Sequence, residues 1–346
     1  MRNKIVYIIK ILVPIILLSI IFIKIDFEKL AKNFLNVNLF YCMAGILVGY
    51  VSQIFIATWR WKFMLSKFYL IRLPYLRLVN YWWIGMFLGY FVPAGMGMDI
   101  YRIVSVGQHG GDYGKSIAAV VGEKIFGVLG SILLLMVAYP LVRQTINADP
   151  RITEIIAYVY WVGVVSTVCL VLAVVFVRVR HGNKVLFYAQ EKLTLRIKRI
   201  ISKISQDRAN NLNDLYLSRI VKGFFHWQNI LTVIAFTVMM RLVMAVGGNI
   251  LFRAVGIQFP LIVNIFTTTL MFIIFTLPIS FGTLGVREGT YIVLFSLFGV
   301  ESETALTVSF LALAGLLLGT LTGGVILLIS NIRQKKQPER LNSQIK

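Results

Sequence analysis

Arginine and carboxylate side chains set among apolar residues are the ones in this sequence that could do chemistry. Leu277 to Gly289 reads LPISFGTLGVREG and carries Arg287 next to Glu288. Phe91 to Arg102 reads FVPAGMGMDIYR and carries Asp99 and Arg102. The two stretches share a spacing. Gly97 and Arg102 follow Pro93 by four and nine residues, and Gly282 and Arg287 follow Pro278 by the same intervals. Gly95 and Gly285 add further freedom to each break. Paired, glycine- and proline-interrupted apolar segments, one in each half of a chain, point to a transporter binding site. Arg102 and Arg287 would contribute planar, permanently charged forks that match phosphate oxygens. Helix N-termini freed at each break would add N–H donors with the same preference. Asp99 and Glu288 would hold the arginines while the site is empty. The alternative is structural: each acid–arginine set closes the end of a hairpin and binds nothing.

Two further charged positions stand out. Arg241 lies in VMMRLVM with no acid near it in sequence. It must face the interior and find Glu288, Glu123 or a lipid phosphate there. Glu123 and Lys124 lie in VVGEKIFG. Lys124 can extend its ammonium to the interface. Glu123 cannot, and either faces the central cavity or packs elsewhere in the bundle. No nucleotide-binding loop, no pair of metal ligands and no Ser-His-acid motif occurs, so neither cofactor nor metal is expected. An enzyme acting on a polyprenyl phosphate would still fit, since such a site needs only Asp, Glu and Arg.

Composition sets the elements that must position these residues. Of the 346 residues, 58% are hydrophobic and 14% charged, and mean hydropathy is +0.81. A soluble domain carries about 25% charged residues. Several apolar runs reach about 20 residues, enough to cross a bilayer as helix. In lipid, backbone groups must be satisfied within helices or a closed barrel, and these runs do not alternate as barrel strands would. The expected fold is all-α: a polytopic helical membrane protein. The formal charge of +21 is concentrated between the apolar runs and in the tail, as the positive-inside rule requires. Its partner is the anionic inner leaflet, not nucleic acid. Cys42 and Cys169 both fall inside apolar runs, which argues against a structural disulfide. Arg2, Lys4 and Lys10 precede an apolar stretch without a small-residue cleavage site, so the first span is retained.

Six spans are predicted, over residues 5–25, 38–58, 116–139, 155–177, 227–252 and 305–330, with a kink at Pro14 in the first. After the second, WRWKFMLSKFYLIRLPYLR carries Arg60, Lys62, Lys67, Arg72 and Arg77 without an acid. It belongs at the cytoplasmic interface, with Trp59 and Trp61 as anchors. Residues 178–226 hold eleven bases against three acids and are also placed inside. There Leu193, Ile197, Ile200, Ile201 and Ile204 interleave with Lys192, Arg196, Arg199 and Lys203. That is the pattern of a helix lying on the inner leaflet, or of an ordinary solvated one. Loop 140–154 is neutral and loop 299–304 acidic, so both lie outside. With these sides assigned, segment 78–115 starts and ends inside, and segment 262–298 starts and ends outside. Each reads as a re-entrant hairpin. The chain becomes an inverted-topology repeat, with halves of about 1–139 and 155–330 joined by the basic linker 178–226. Tilted full crossings would fit the same charges. Residues 1–335 form one integral membrane domain and 336–346 a cytoplasmic tail, with both termini cytoplasmic. The last span is rich in Ala312, Ala314, Gly315, Gly319, Gly323 and Gly324, which permits close helix packing.

PAGMGMDIYR, VVGEKIFG and LPISFGTLGVREG together resemble the signature stretches of the membrane region of the lysylphosphatidylglycerol synthase family, over residues 5–330. The resemblance implies a flippase-like membrane region that moves phospholipid between leaflets. The family's soluble aminoacyl-transfer domain has no counterpart in these residues, so synthase activity is not carried over. The family pattern often has Glu-Arg where this chain has Glu123–Lys124, which removes a bidentate fork there. The expected function is translocation of an anionic phospholipid or lipid-linked phosphate across the cell membrane, passive or gradient-coupled. The alternatives are a polyprenyl-phosphate-dependent glycosyl transfer factor and a non-catalytic membrane partner of a separate lipid-modifying enzyme.

Overall fold

The computed structural model describes residues 19, 21–23, 25–91, 96–110, 112–147, 227–276 and 285–344, with scattered positions between 153 and 165. Pro93, Gly95, Pro278 and Gly282 lie outside the described residues, as do the basic segment 178–226 and most of the expected spans 5–25 and 155–177. Among the described residues every regular element is helical. In chain order these are α1 Phe27–Leu35, α2 Leu39–Lys67, α3 Tyr75–Phe91, α4 Met96–Gly110 and α5 Tyr113–Val142. There follow α6 Trp227–Ala254, α7 Leu261–Thr276, α8 Val286–Ser296 and α9 Ser302–Gln344.

Short polar side chains start the helices. Asp26 accepts from the N–H groups of Glu28 and Lys29 at 2.9 and 3.1 Å, Asn38 from those of Phe40 and Tyr41 at 3.0 and 3.3 Å, and Asp112 from that of Lys115 at 3.0 Å. Each satisfies donors that the first helical turn leaves free. Among the described residues, four helical stretches are long and apolar enough to cross a membrane: Leu39–Lys67, Tyr113–Thr145, Trp227–Ala254 and Ser302–Ser330. They match four of the six expected spans; α2 contains a π-helical turn at Leu47–Val51 and runs past its predicted end at residue 58 to Lys67. The chain is an all-helical multi-pass membrane protein.

The helices flanking the two breaks are shorter. α3, α4, α7 and α8 have 17, 15, 16 and 11 residues. At 1.5 Å per residue these are about 16–25 Å long, against a hydrocarbon core of about 30 Å. Each pair doubles back on itself. The Tyr81 hydroxyl near the start of α3 lies 2.9 Å from His109 Nδ1 near the end of α4, and between them Gly85 and Gly89 face Met98. Phe259, just before α7, packs against Phe295 in the last turn of α8 at 5.9 Å between ring centroids.

Glycines set the closest helix crossings. A Cβ on Gly247 of α6 would overlap Gly49 Cα and lie 2.9 Å from Gly45 O, both in the backbone of α2. Gly319, Gly323 and Gly324 of α9 likewise seat Trp83 and Phe87 of α3, the small-residue packing expected of the last span. Gly247→Ala must separate two backbones, and overpacking of this kind costs about 1–3 kcal/mol or more. Gly289→Ala, whose nearest new neighbour is Ile21 Cδ1 at 3.9 Å, is expected to be neutral or to gain about 1 kcal/mol from helix propensity. Thermal unfolding of the two purified variants checks this; equal melting would refute the tight crossing.

Candidate functional site

Helical periodicity brings the charged residues inward. In α5 the buried positions Ser116, Ala119, Val120, Glu123, Phe126, Gly127 and Gly130 form one stripe, with Glu123 its only ionised member. In α2 the buried stripe runs through Ala57, Arg60, Trp61, Met64 and Leu65, and in α6 Thr237 and Arg241 stand one turn apart on the same face. These three helices and α4 meet at a single carboxylate. Glu123 Oε1 accepts from Arg60 Nη2 at 2.7 Å, and Oε2 from Arg102 Nη2 at 2.5 Å. Arg60 Nη1 donates to Thr237 Oγ1 at 2.9 Å. The Arg102 guanidinium stacks on both Trp61 and Trp82, 4.5 and 4.4 Å from the ring centroids.

Arg241 joins the same cluster. Its guanidinium lies 3.6 Å from the centroid of Phe272 in α7. Phe272 and Arg60 Nη1 both approach Gly127, where an added Cβ would meet them at 3.4 and 3.8 Å. Arg60, Arg102, Arg241 and Glu123 are 5%, 3%, 4% and 5% exposed. Three guanidiniums are therefore buried together with a single carboxylate, and Glu123 pairs with two of them, Arg60 and Arg102. Among the described residues Arg241 has neither an ion pair nor a hydrogen bond, and its Nε is a buried donor without an acceptor. Stacking on Phe272 offsets part of that charge, by about 0.5–2 kcal/mol.

Several expected partnerships are rearranged. Asp99 does not hold Arg102. It pairs with Lys124 Nζ at 2.5 Å, where its side chain is 21% and that of Lys124 57% exposed. Arg102 instead crosses to Glu123, one residue along α5. The interior favours this exchange, because a buried carboxylate gains most when both its oxygens meet guanidinium donors. Trp61 is not an interface anchor. It is 1% exposed and stacks on Arg102, while Trp59 at 61% fits the anchoring role.

The second cluster is local. Gly285 adopts φ +77° at the start of α8, a conformation that glycine reaches without strain. Its N–H donates to Glu288 Oε2 at 2.6 Å, and Glu288 Oε1 pairs with Arg287. A carboxylate reaching back to the first N–H is half of a capping box; glycine has no side-chain oxygen for the other half. Glu288 thus engages both oxygens within one turn, and it is not bonded to Arg241. Arg102 and Arg287 share an interval from their prolines but not a helical position. Arg102 stands well inside α4, Arg287 in the first turn of α8. A cavity of about 350 Å³ is lined by Trp82, which stacks on Arg102, and by Tyr50, which lies within electrostatic reach of Arg287. Gly97 is buried at the start of α4.

Sequence reasoning missed Arg60, Thr237 and Phe272, and gave Trp61 another role. Along the sequence Arg60 belongs with the basic residues after the second span. The signal that could have found it is its place three residues after Ala57 and four before Met64, on a continuous buried stripe.

No curated protein and no solved structure matches the chain. The model of the family described as Lysylphosphatidylglycerol synthase TM region matches residues 7–336, and the chain, which carries its buried arginines and Glu123 within that span, belongs to that family.

Proposed function

We propose that this protein moves an anionic phospholipid or lipid-linked phosphate between the leaflets of the cytoplasmic membrane. One observation carries the reading: Arg60, Arg102 and Arg241 are buried with Glu123 as their only acidic partner among the described residues. Unpaired buried charge is costly, and intramembrane ionisable residues mark substrate paths. Arginine forks suit phosphate oxygens, and membership of the family supports a role with membrane lipid. In proteoliposomes the protein is expected to accelerate leaflet exchange of labelled anionic lipids over phosphatidylcholine, without nucleotide. Exchange no faster than in empty vesicles, for every anionic lipid of the panel, would rule the reading out.

The same reading includes six spans and two re-entrant hairpins, α3–α4 and α7–α8, in inverted topology. Its support is the way loop segments meet. Segments that the proposed topology places outside touch one another: Asp26 N and Glu303 at 3.2 Å, Asn38 N and Ala254 O at 2.9 Å, and Asn147 N and Leu297 O at 2.6 Å. The basic segment assigned inside meets the start of the third span, through the Tyr69 hydroxyl and Ala118 O at 2.8 Å. In a chain whose own cysteines are replaced by serine, cysteines at Asn147 and Ser302 should react with an impermeant maleimide from outside. One at Arg72 should react only after permeabilisation. Reaction of position 302 only from inside would exclude the inverted repeat.

A further inference from the structure

We infer that the buried arginine site takes a doubly charged phosphate, a phosphomonoester or diphosphate group, in preference to a singly charged phosphodiester. The inference rests on the transport reading for its lipid source, and on the charge balance for its selectivity. Elsewhere among the described residues the buried Arg287 is paired with Glu288, and nearer the surface Lys124 pairs with Asp99 and Lys115 with Asp112. At the site three positive charges meet one negative, an excess of two. The donors are in excess as well. Glu123 takes one N–H from Arg60 and one from Arg102, and the Nε atoms of Arg60, Arg102 and Arg241 have no acceptor.

A phosphodiester brings one charge and leaves a guanidinium uncompensated in a medium of low dielectric. A phosphomonoester brings about two charges near neutral pH and three strong acceptor oxygens. Only the second kind of headgroup balances the site. Arg241 sets this preference, because Arg60 and Arg102 are already bound to Glu123 and it is not. Replacing it lowers the excess to one, which a phosphodiester balances.

The test measures binding in detergent by thermal unfolding of the full chain. The probes are dioctanoyl phosphatidic acid, dioctanoyl phosphatidylglycerol and inorganic phosphate. Phosphatidic acid is expected to bind at least about tenfold more tightly than phosphatidylglycerol, and that preference is expected to vanish in Arg241→Gln. Arg241→Met replaces it in the comparison if Arg241→Gln does not fold. Inorganic phosphate binding as tightly as phosphatidic acid would support the doubly charged site while removing the lipid as its source. Equal affinity for the two lipids in the parent, or a preference that survives in the Arg241 variant, would overturn the inference. Discrimination in binding without any leaflet exchange in vesicles would instead sink the transport reading alone.

Discussion

Glu123→Gln is expected to lower the unfolding free energy by about 3–5 kcal/mol, the range for breaking a buried ion pair by removing one partner. Both pairs are deeply buried, with side-chain exposures of 3–6% for Arg60, Arg102 and Glu123. Glutamine keeps the shape but offers one acceptor where there were two. Its amide group would point donors at one of the arginines. Three guanidiniums would then stand together without any counter-charge. Arg60→Met added to Glu123→Gln should recover part of the loss, because it removes one of the stranded cations. Asp99→Asn is the contrast: its partner Lys124 is half in solvent, and an exposed pair contributes at most about 1 kcal/mol. Denaturant or thermal unfolding of the four purified proteins decides. Parent-like stability of Glu123→Gln would mean that Glu123 does not carry the charge of this cluster.

Arg241→Met should move stability and transport in opposite directions. The substitution loses stacking on Phe272, about 0.5–2 kcal/mol. It also removes an ion without a carboxylate partner from the interior, where the desolvation penalty is several kcal/mol. A net gain of roughly 1 kcal/mol or more in unfolding free energy is expected from these two terms. Leaflet exchange of phosphatidic acid should fall at least about tenfold, equivalent to 1.4 kcal/mol of lost interaction. A residue held against its own stability is the signature of a functional site. If the variant is less stable than the parent and transports normally, Arg241 is a packing residue and the anion site must be sought elsewhere.

Much of this was legible along the chain. Runs such as 227–252 and 305–330 are apolar over the length of a bilayer, and lipid permits such backbone to be helical. Arg287 and Glu288 are adjacent, so their pairing needs only one helical turn. Arg241 had no acid near it in sequence, and among the described residues it makes no ion pair. The composition of the larger cluster was not legible. Asp99 stands three residues from Arg102, yet Arg102 bonds to Glu123 on the next helix and Asp99 to Lys124. Arg60 looked like one more base at the cytoplasmic interface until α2 ran on to Lys67 and turned it towards α5 and α6. Spacing within one helix determines which residues share a face, and the sequence by itself settled that much. Only the tertiary structure decided which faces meet, and a buried charge takes its partner from the opposing face, where the low dielectric makes pairing strongest.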